Sequence, residues 1–205
     1  MSEAGFSRPQ AFSWARQRYT EAGIEPVREI MALYCAACGA DEFLFAPQEL
    51  TPAQTQDFRE LVKRRCSHEP LQHLLKEMFF GSFRLFSSPD AFIVRPETEY
   101  LVELALRPRG AREAGLAADL CAGSGAIALT LARELPAAAV FMVEISEKAL
   151  RVARKNLERY PQLARRISVS CADVADPRLW EEQAGQFDLV VSNPPYVPPG
   201  TITQP

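Results

Sequence analysis

Leu116-Ala-Ala-Asp-Leu-Cys-Ala-Gly-Ser-Gly125 decides the fold: a short apolar stretch runs into two closely spaced glycines, and the helix-forming run Ala126-Ile-Ala-Leu follows at once. An apolar stretch that ends at Leu120 reads as a buried strand. The glycines mark a tight turn where a ligand can press against bare backbone, and residues 124–135 read as a helix. Outward from this unit the pattern repeats. Residues 139–143 read as a strand, 146–159 as a helix, 167–171 as a strand, the stretch near Trp180 as a short helical turn, and 187–192 as a fourth strand. Alternation of this kind implies an α/β fold with a parallel, doubly wound sheet. The final stretch from Pro198, rich in proline, reads as unstructured.

Upstream, from about residue 9 to residue 75, apolar residues recur at helical spacing, as in Phe12, Ala15 and Tyr19 and in Phe58, Leu61 and Val62. A small all-helical unit is expected, broken at Gly23, at Gly39 and around Pro47. Thr51-Pro52 has the form of an N-cap followed by a first-turn proline, and the helix it opens is expected to end near Cys66 behind Lys63-Arg64-Arg65. Met78-Phe-Phe-Gly-Ser-Phe-Arg-Leu-Phe, then Ser87-Ser-Pro-Asp, then Ala91-Phe-Ile-Val reads as a β-hairpin that connects the two parts. The expected domains are therefore 1–75 (helical), 76–96 (hairpin linker) and 97–205 (parallel sheet).

Composition narrows the partners. The 205 residues carry 23 Lys and Arg against 26 Asp and Glu, a net charge of -3, which argues against wrapping nucleic-acid backbone. The apolar run 137–143 is far too short to span a bilayer, and the first twenty residues hold no secretory h-region, so a cytoplasmic location is expected. Five cysteines, an odd and scattered count, do not describe a disulfide framework. Cys35 and Cys38 sit in the last turns of a helix stopped by Gly39 and lack a second ligand pair, so no metal site is expected.

The chemistry lies in three segments that follow one another along the sheet. Gly123 and Gly125 form a nucleotide-type loop, but no lysine is present to reach phosphates, so the ligand expected there lacks a polyphosphate. Glu144 ends the second parallel strand about twenty residues on, where a carboxylate can accept from both hydroxyls of a ribose. Asn193-Pro194-Pro195-Tyr196 follows the fourth strand. Two prolines fix that backbone and remove two donors, so that the carbonyls of Asn193 and Pro194, with the Asn193 side-chain oxygen, can hold a planar amino group while Tyr196 packs on its flat face. Anchoring both N–H groups of an amide or aromatic amine fixes the nitrogen and favours its pyramidalisation during attack.

These segments resemble the class I S-adenosylmethionine-dependent methyltransferases. Together with Arg95-Pro-Glu-Thr-Glu99, Pro70-Leu-Gln-His73 and Phe79-Phe80-Gly81 they resemble one family in particular, the HemK or PrmC protein-(glutamine-N5) methyltransferases. The resemblance covers nearly the whole chain. It implies a Rossmann-like parallel sheet and S-adenosylmethionine as cofactor. It also implies methyl transfer to the glutamine amide in the Gly-Gly-Gln motif of peptide chain release factors, with the helical unit helping to dock that partner. Carried over by position, Cys121, Ala122, Gly123, Ser124 and Gly125 would line the methionine and ribose part of the cofactor, Glu144 its ribose, and Val174 its adenine edge. Asn193, Pro194, Pro195 and Tyr196 would hold the target glutamine, with Asn193 also touching the cofactor. Arg95 to Glu99 would support the cofactor site, or serve simply as a helix entry with Glu97 and Glu99 in a favourable first turn.

Three positions depart from the family pattern: Cys121 stands where glycine or another small residue is usual, Glu144 where aspartate is, and Met78 where glutamate is common. The chain also stops soon after its fourth central strand, whereas the class I fold is completed by seven. Three strand and helix units, about 75 residues at roughly 25 to 35 each, are then lacking, and weak or no turnover is expected of the 205-residue chain alone. Two other functions remain open at this point: methylation of an exocyclic amine in nucleic acid, where Asn-Pro-Pro-Tyr turns also occur, and a noncatalytic release-factor binder.

Overall fold

The computed structural model describes residues 5–24, 27–108, 110–181 and 184–196. The proline-rich tail lies outside these residues. The chain divides into two compact units, Met1–Glu77 and Met78–Pro205.

The first unit is helical: α1 (Arg8–Glu21), α2 (Val27–Cys38), a 3-10 turn at Phe43–Phe45, α3 (Pro52–Cys66) and the short α4 (Leu71–Leu75). Local chemistry sets these limits. Thr51 caps α3 by accepting the Gln54 N–H, while the Gln54 side chain accepts the Thr51 N–H, and Pro52 occupies the first turn. Gly39, at φ 71, stops α2 just after Cys38. Tyr19, Leu33, Tyr34, Phe58 and Val62 form the core, with Tyr34 and Phe58 meeting edge to face at 5.7 Å. Cys35 and Cys38 are free and half-buried.

The second unit begins with a hairpin, β1 (Glu77–Phe80) and β2 (Phe83–Phe86). Its turn falls at Gly81-Ser82, with Gly81 at φ 53, and not at residues 87–90; residues 91–94 form no strand. The hairpin expected over 78–94 therefore closes within the run 78–86. In that run only Gly81 adopts the left-handed backbone that a two-residue turn requires, and the surrounding phenylalanines mask the break. The sheet unit follows: α5 (Pro96–Ala105), β3 (Leu116–Leu120), α6 (Ala126–Glu134), β4 (Ala139–Glu144), α7 (Glu147–Arg159), α8 (Pro161–Ala164), β5 (Ile167–Cys171), a 3-10 turn at Pro177–Trp180, and β6 (Leu189–Ser192).

Strand order is β5-β4-β3-β6, and every pairing is parallel. Leu120 is level with Val143 on one side and with Ser192 on the other, so all four carboxyl ends emerge along one edge. Successive strands run outward from β3 in one direction, and β6 then crosses to its other side. The order therefore reverses between β3 and β6, which is where open parallel sheets form a crevice. Ala117 and Ala118 are buried, as expected for a strand covered on both faces. One cover is α6, whose residues from Ala126 to Ala132 are all buried. The amphipathic α7 adds Leu150, Val152, Ala153 and Leu157. Phe141, Trp180 and Phe187 make a ring cluster with centroids 6.1 to 6.3 Å apart. Among the described residues no helix is long and apolar enough to cross a membrane.

Candidate active site

The glycine loop is fixed from behind. Cys121 and Gly123 take left-handed backbone (φ 60 and 54), and Gly125 at φ 78 caps α6, which is why that helix opens at Ala126 and not at residue 124. A Cβ on Gly125 would stand 3.3 Å from Met142 Sδ and 3.4 Å from Ala153 Cβ, so this glycine lets α6 approach β4 and α7 closely. A Cβ on Gly123 would meet nothing within 4 Å. Behind the loop, Asn156 is fully buried. Its Nδ2 donates to the Ser124 carbonyl (3.0 Å) and to that of Phe86 (3.4 Å), and its Oδ1 accepts the Phe86 N–H (2.6 Å). One side chain thus ties the loop to the end of the hairpin.

Two carboxylates flank the loop. Glu144 Oε2 accepts the Gly123 N–H at 2.8 Å and its Oε1 accepts the Ser146 N–H at 2.9 Å, so the group is held in place while each oxygen keeps a free lone pair. Asp119 is fully buried. Its Oδ2 accepts the Ala128 N–H, and its Oδ1 has no partner. Burial pushes its pKa up to about 8, and the nearby Glu144 charge adds in the same direction. Burial also raises the Cys121 thiol, against a hydrogen bond with Ser192.

At the crevice a cavity of about 670 Å3 lies within the size range of small-molecule sites. It gathers Cys121, Gly123, Glu144, Val174, Asn193, Pro194, Pro195 and Tyr196. Ala122, Ser124 and Gly125, also expected to line a site here, do not form its wall. Ala122 donates its N–H to the Val143 carbonyl, Ser124 is 2% exposed, and Gly125 faces β4 and α7. They shape the loop from within. The wall also holds residues that no motif singles out, Asp90, Ala91, Phe92 and Ile145 among them, contributed by the irregular segment after the hairpin and the turn after β4. Val174 is pinned through its carbonyl, which accepts from Trp180 Nε1 at 3.0 Å.

Asn193 leaves the end of β6 beside Cys121, because Ser192 is level with Leu120. Its Nδ2 donates to Thr98 Oγ1 at 2.9 Å. Thr98 belongs to the segment Arg95-Pro-Glu-Thr-Glu99, which does open a helix: Pro96 stands in the first turn with Glu97 and Glu99. Glu99 accepts the Gly81 N–H at the hairpin turn (2.9 Å), and the Arg95 guanidinium lies 5.6 Å from the Phe92 ring centre. Tyr196 is 76% exposed at the rim. Among the described residues no group of three or more His, Cys, Asp or Glu could hold a metal ion.

The arrangement suits a nucleoside-type ligand. The bare face of Gly123 admits close approach, a fixed carboxylate supplies paired acceptors, and an asparagine stands at the far wall. Comparison with known proteins gives the following matches. The model of the methyltransferase small domain matches residues 97–204, and that of the PrmC N-terminal domain matches residues 10–75. A release factor glutamine methyltransferase from Mycolicibacterium smegmatis is 40% identical over 177 residues, which are 86% of this chain and 60% of that protein. One from Bifidobacterium longum is 34% identical over 203 residues, 93% of this chain and 69% of that protein. A solved structure, cofactor-bound Rv0187 from MTB, aligns over 49% of this chain and 44% of its own at 30% identity and a TM-score of 0.40. The chain spans about three fifths of the length of the first curated relatives that it matches. With both parts of the chain matched in this way, it belongs to the release factor glutamine methyltransferase family.

Proposed function

We propose that this chain carries the cofactor crevice and the acceptor corner of an enzyme that methylates the side-chain amide nitrogen of the glutamine in the Gly-Gly-Gln motif of peptide chain release factors, with S-adenosylmethionine as methyl donor. The observation that carries this reading is the placement of Asn193 in one cavity with Gly123 and Glu144. S-adenosylmethionine, when bound, supplies a methyl group made electrophilic by the adjoining sulfonium. This chain's residues do the rest. Glu144 accepts from the ribose hydroxyls with its remaining lone pairs, Gly123 lets the ligand lie against backbone, and Val174 borders the adenine. The Asn193 Oδ1 and the carbonyls of Asn193 and Pro194 accept from the two N–H groups of the glutamine, and Tyr196 covers its flat face.

Holding both N–H groups places the amide nitrogen in line and favours the pyramidal geometry it reaches on attack. No strong base is needed beforehand. Both histidines, His68 and His73, belong to the helical unit, and burial lowers the pKa of His73. The helical unit docks the release factor, and the enzyme works in the cytoplasm where that partner is found.

The test is transfer of a labelled methyl group to purified release factor by the full-length protein. Label on the Gly-Gly-Gln glutamine is expected, and Asn193→Ala should slow transfer about 100-fold, as for other groups that contact a reacting centre. Label appearing in nucleic acid, or a rate untouched by Asn193→Ala, would overturn the proposal.

A further inference from the structure

Asn193 can serve an acceptor amide only if its oxygen, and not its NH2, faces the cavity. In the structure that carboxamide is held from a distant point in the chain. Thr98 is 3% exposed, and its Oγ1 takes one Nδ2–H of Asn193 at 2.9 Å, which leaves Oδ1 at the opposite end of the group.

The threonine is itself held still. It is β-branched and buried in the first turn of α5, where its N–H donates to the Arg95 carbonyl (3.0 Å). The helix is anchored to the hairpin turn through Glu99 and the Gly81 N–H, and to the core through Val102. We infer that Thr98 is a positioning residue for methyl transfer: it holds the Asn193 carboxamide by its NH2 end, which leaves the acceptor oxygen for the incoming amide. Through Thr98, the Arg95-Pro-Glu-Thr-Glu99 segment then also acts on the acceptor side of the cavity. This inference rests on the role proposed above for Asn193.

The test uses four variants of the full-length enzyme: Thr98→Val, Thr98→Ser, Asn193→Ala and the double variant Thr98→Val with Asn193→Ala. Valine keeps the shape and removes the hydroxyl. It should lower kcat about tenfold while KM for the release factor and the Kd for S-adenosylmethionine stay within about twofold, since one hydrogen bond to a catalytic group is lost and no ligand contact is. Serine keeps the hydroxyl and should restore kcat. In the double variant the valine should cost nothing beyond Asn193→Ala, because its effect passes through a side chain already removed. Additive losses, failure of serine to rescue, or an unchanged kcat in Thr98→Val would each overturn the positioning role. Should Asn193→Ala itself run at the parent rate, the reading of the corner fails and not merely that of Thr98.

Discussion

The glycine loop and the Asn-Pro-Pro-Tyr corner face each other across one crevice, yet they are held in opposite ways. The loop is gripped from inside: Asn156 bonds it from behind, Gly125 packs on Met142 and Ala153, and Ser124 and Asp119 are sealed off from solvent. The corner is exposed and rests on the register of β6 and a side-chain bond to Thr98. Loop residues are therefore expected to contribute mainly to folding, and corner residues mainly to the proposed transfer. Substitutions in the loop should move the melting temperature, and those in the corner should move turnover.

The contrast is tested hardest at Asn156. Asn156→Leu leaves the Phe86 N–H and the Ser124 carbonyl without their partner, and a loss of about 3 kcal/mol of stability is expected in denaturant unfolding. An effect on turnover alone would contradict the division. The two loop glycines give a finer comparison. Gly125→Ala combines left-handed strain with contacts at 3.3 and 3.4 Å and should cost about 2 kcal/mol, whereas Gly123→Ala, with open space around it, should cost about 1 kcal/mol. Because Gly123 lines the cavity, its alanine variant should instead show the larger drop in cofactor affinity, measured by calorimetry.

Asp119 makes the loop sensitive to pH. Its folded pKa of about 8 lies above the unfolded value of about 3.9, so the native state keeps a proton that the unfolded chain gives up. The stability from this group is fully present below pH about 4 and is lost as pH rises toward 8. Asp119→Asn, which retains an acceptor for the Ala128 N–H, should flatten the fall in melting temperature across that window. The smallest effect is expected at Cys121. Its φ of 60 strains a side chain, and Cys121→Gly should raise stability by about 0.5 to 1 kcal/mol in thermal unfolding.

How far the sequence reveals all this depends on the distance over which each feature is specified. The four parallel strands and the glycine turn are legible because apolar runs and glycines act locally. The Thr51 cap and the stop at Gly39 follow from the same kind of chemistry. Boundaries shift where side chains intervene. Strand β6 begins at Leu189 and not at 187, since the Phe187 ring joins Phe141 and Trp180 while Asp188 accepts the N–H groups of Gly115 and Leu116. The hairpin turn was hidden among phenylalanines. The bond between Thr98 and Asn193 spans 95 positions, and that between Asn156 and Phe86 spans 70, so neither leaves any periodicity to read. Family resemblance points to the Thr98 segment but not to its contact.

The bond from Trp180 Nε1 to the Val174 carbonyl has a practical side. The chain has two tryptophans, Trp14 in the helical unit and Trp180 in the sheet unit. Trp180 is therefore a native fluorophore bonded to the crevice wall, and an occupant that shifts the Val174 carbonyl is expected to alter its emission. Ligand titrations can be followed optically without attaching a dye, and replacing Trp14 by phenylalanine would isolate that reporter.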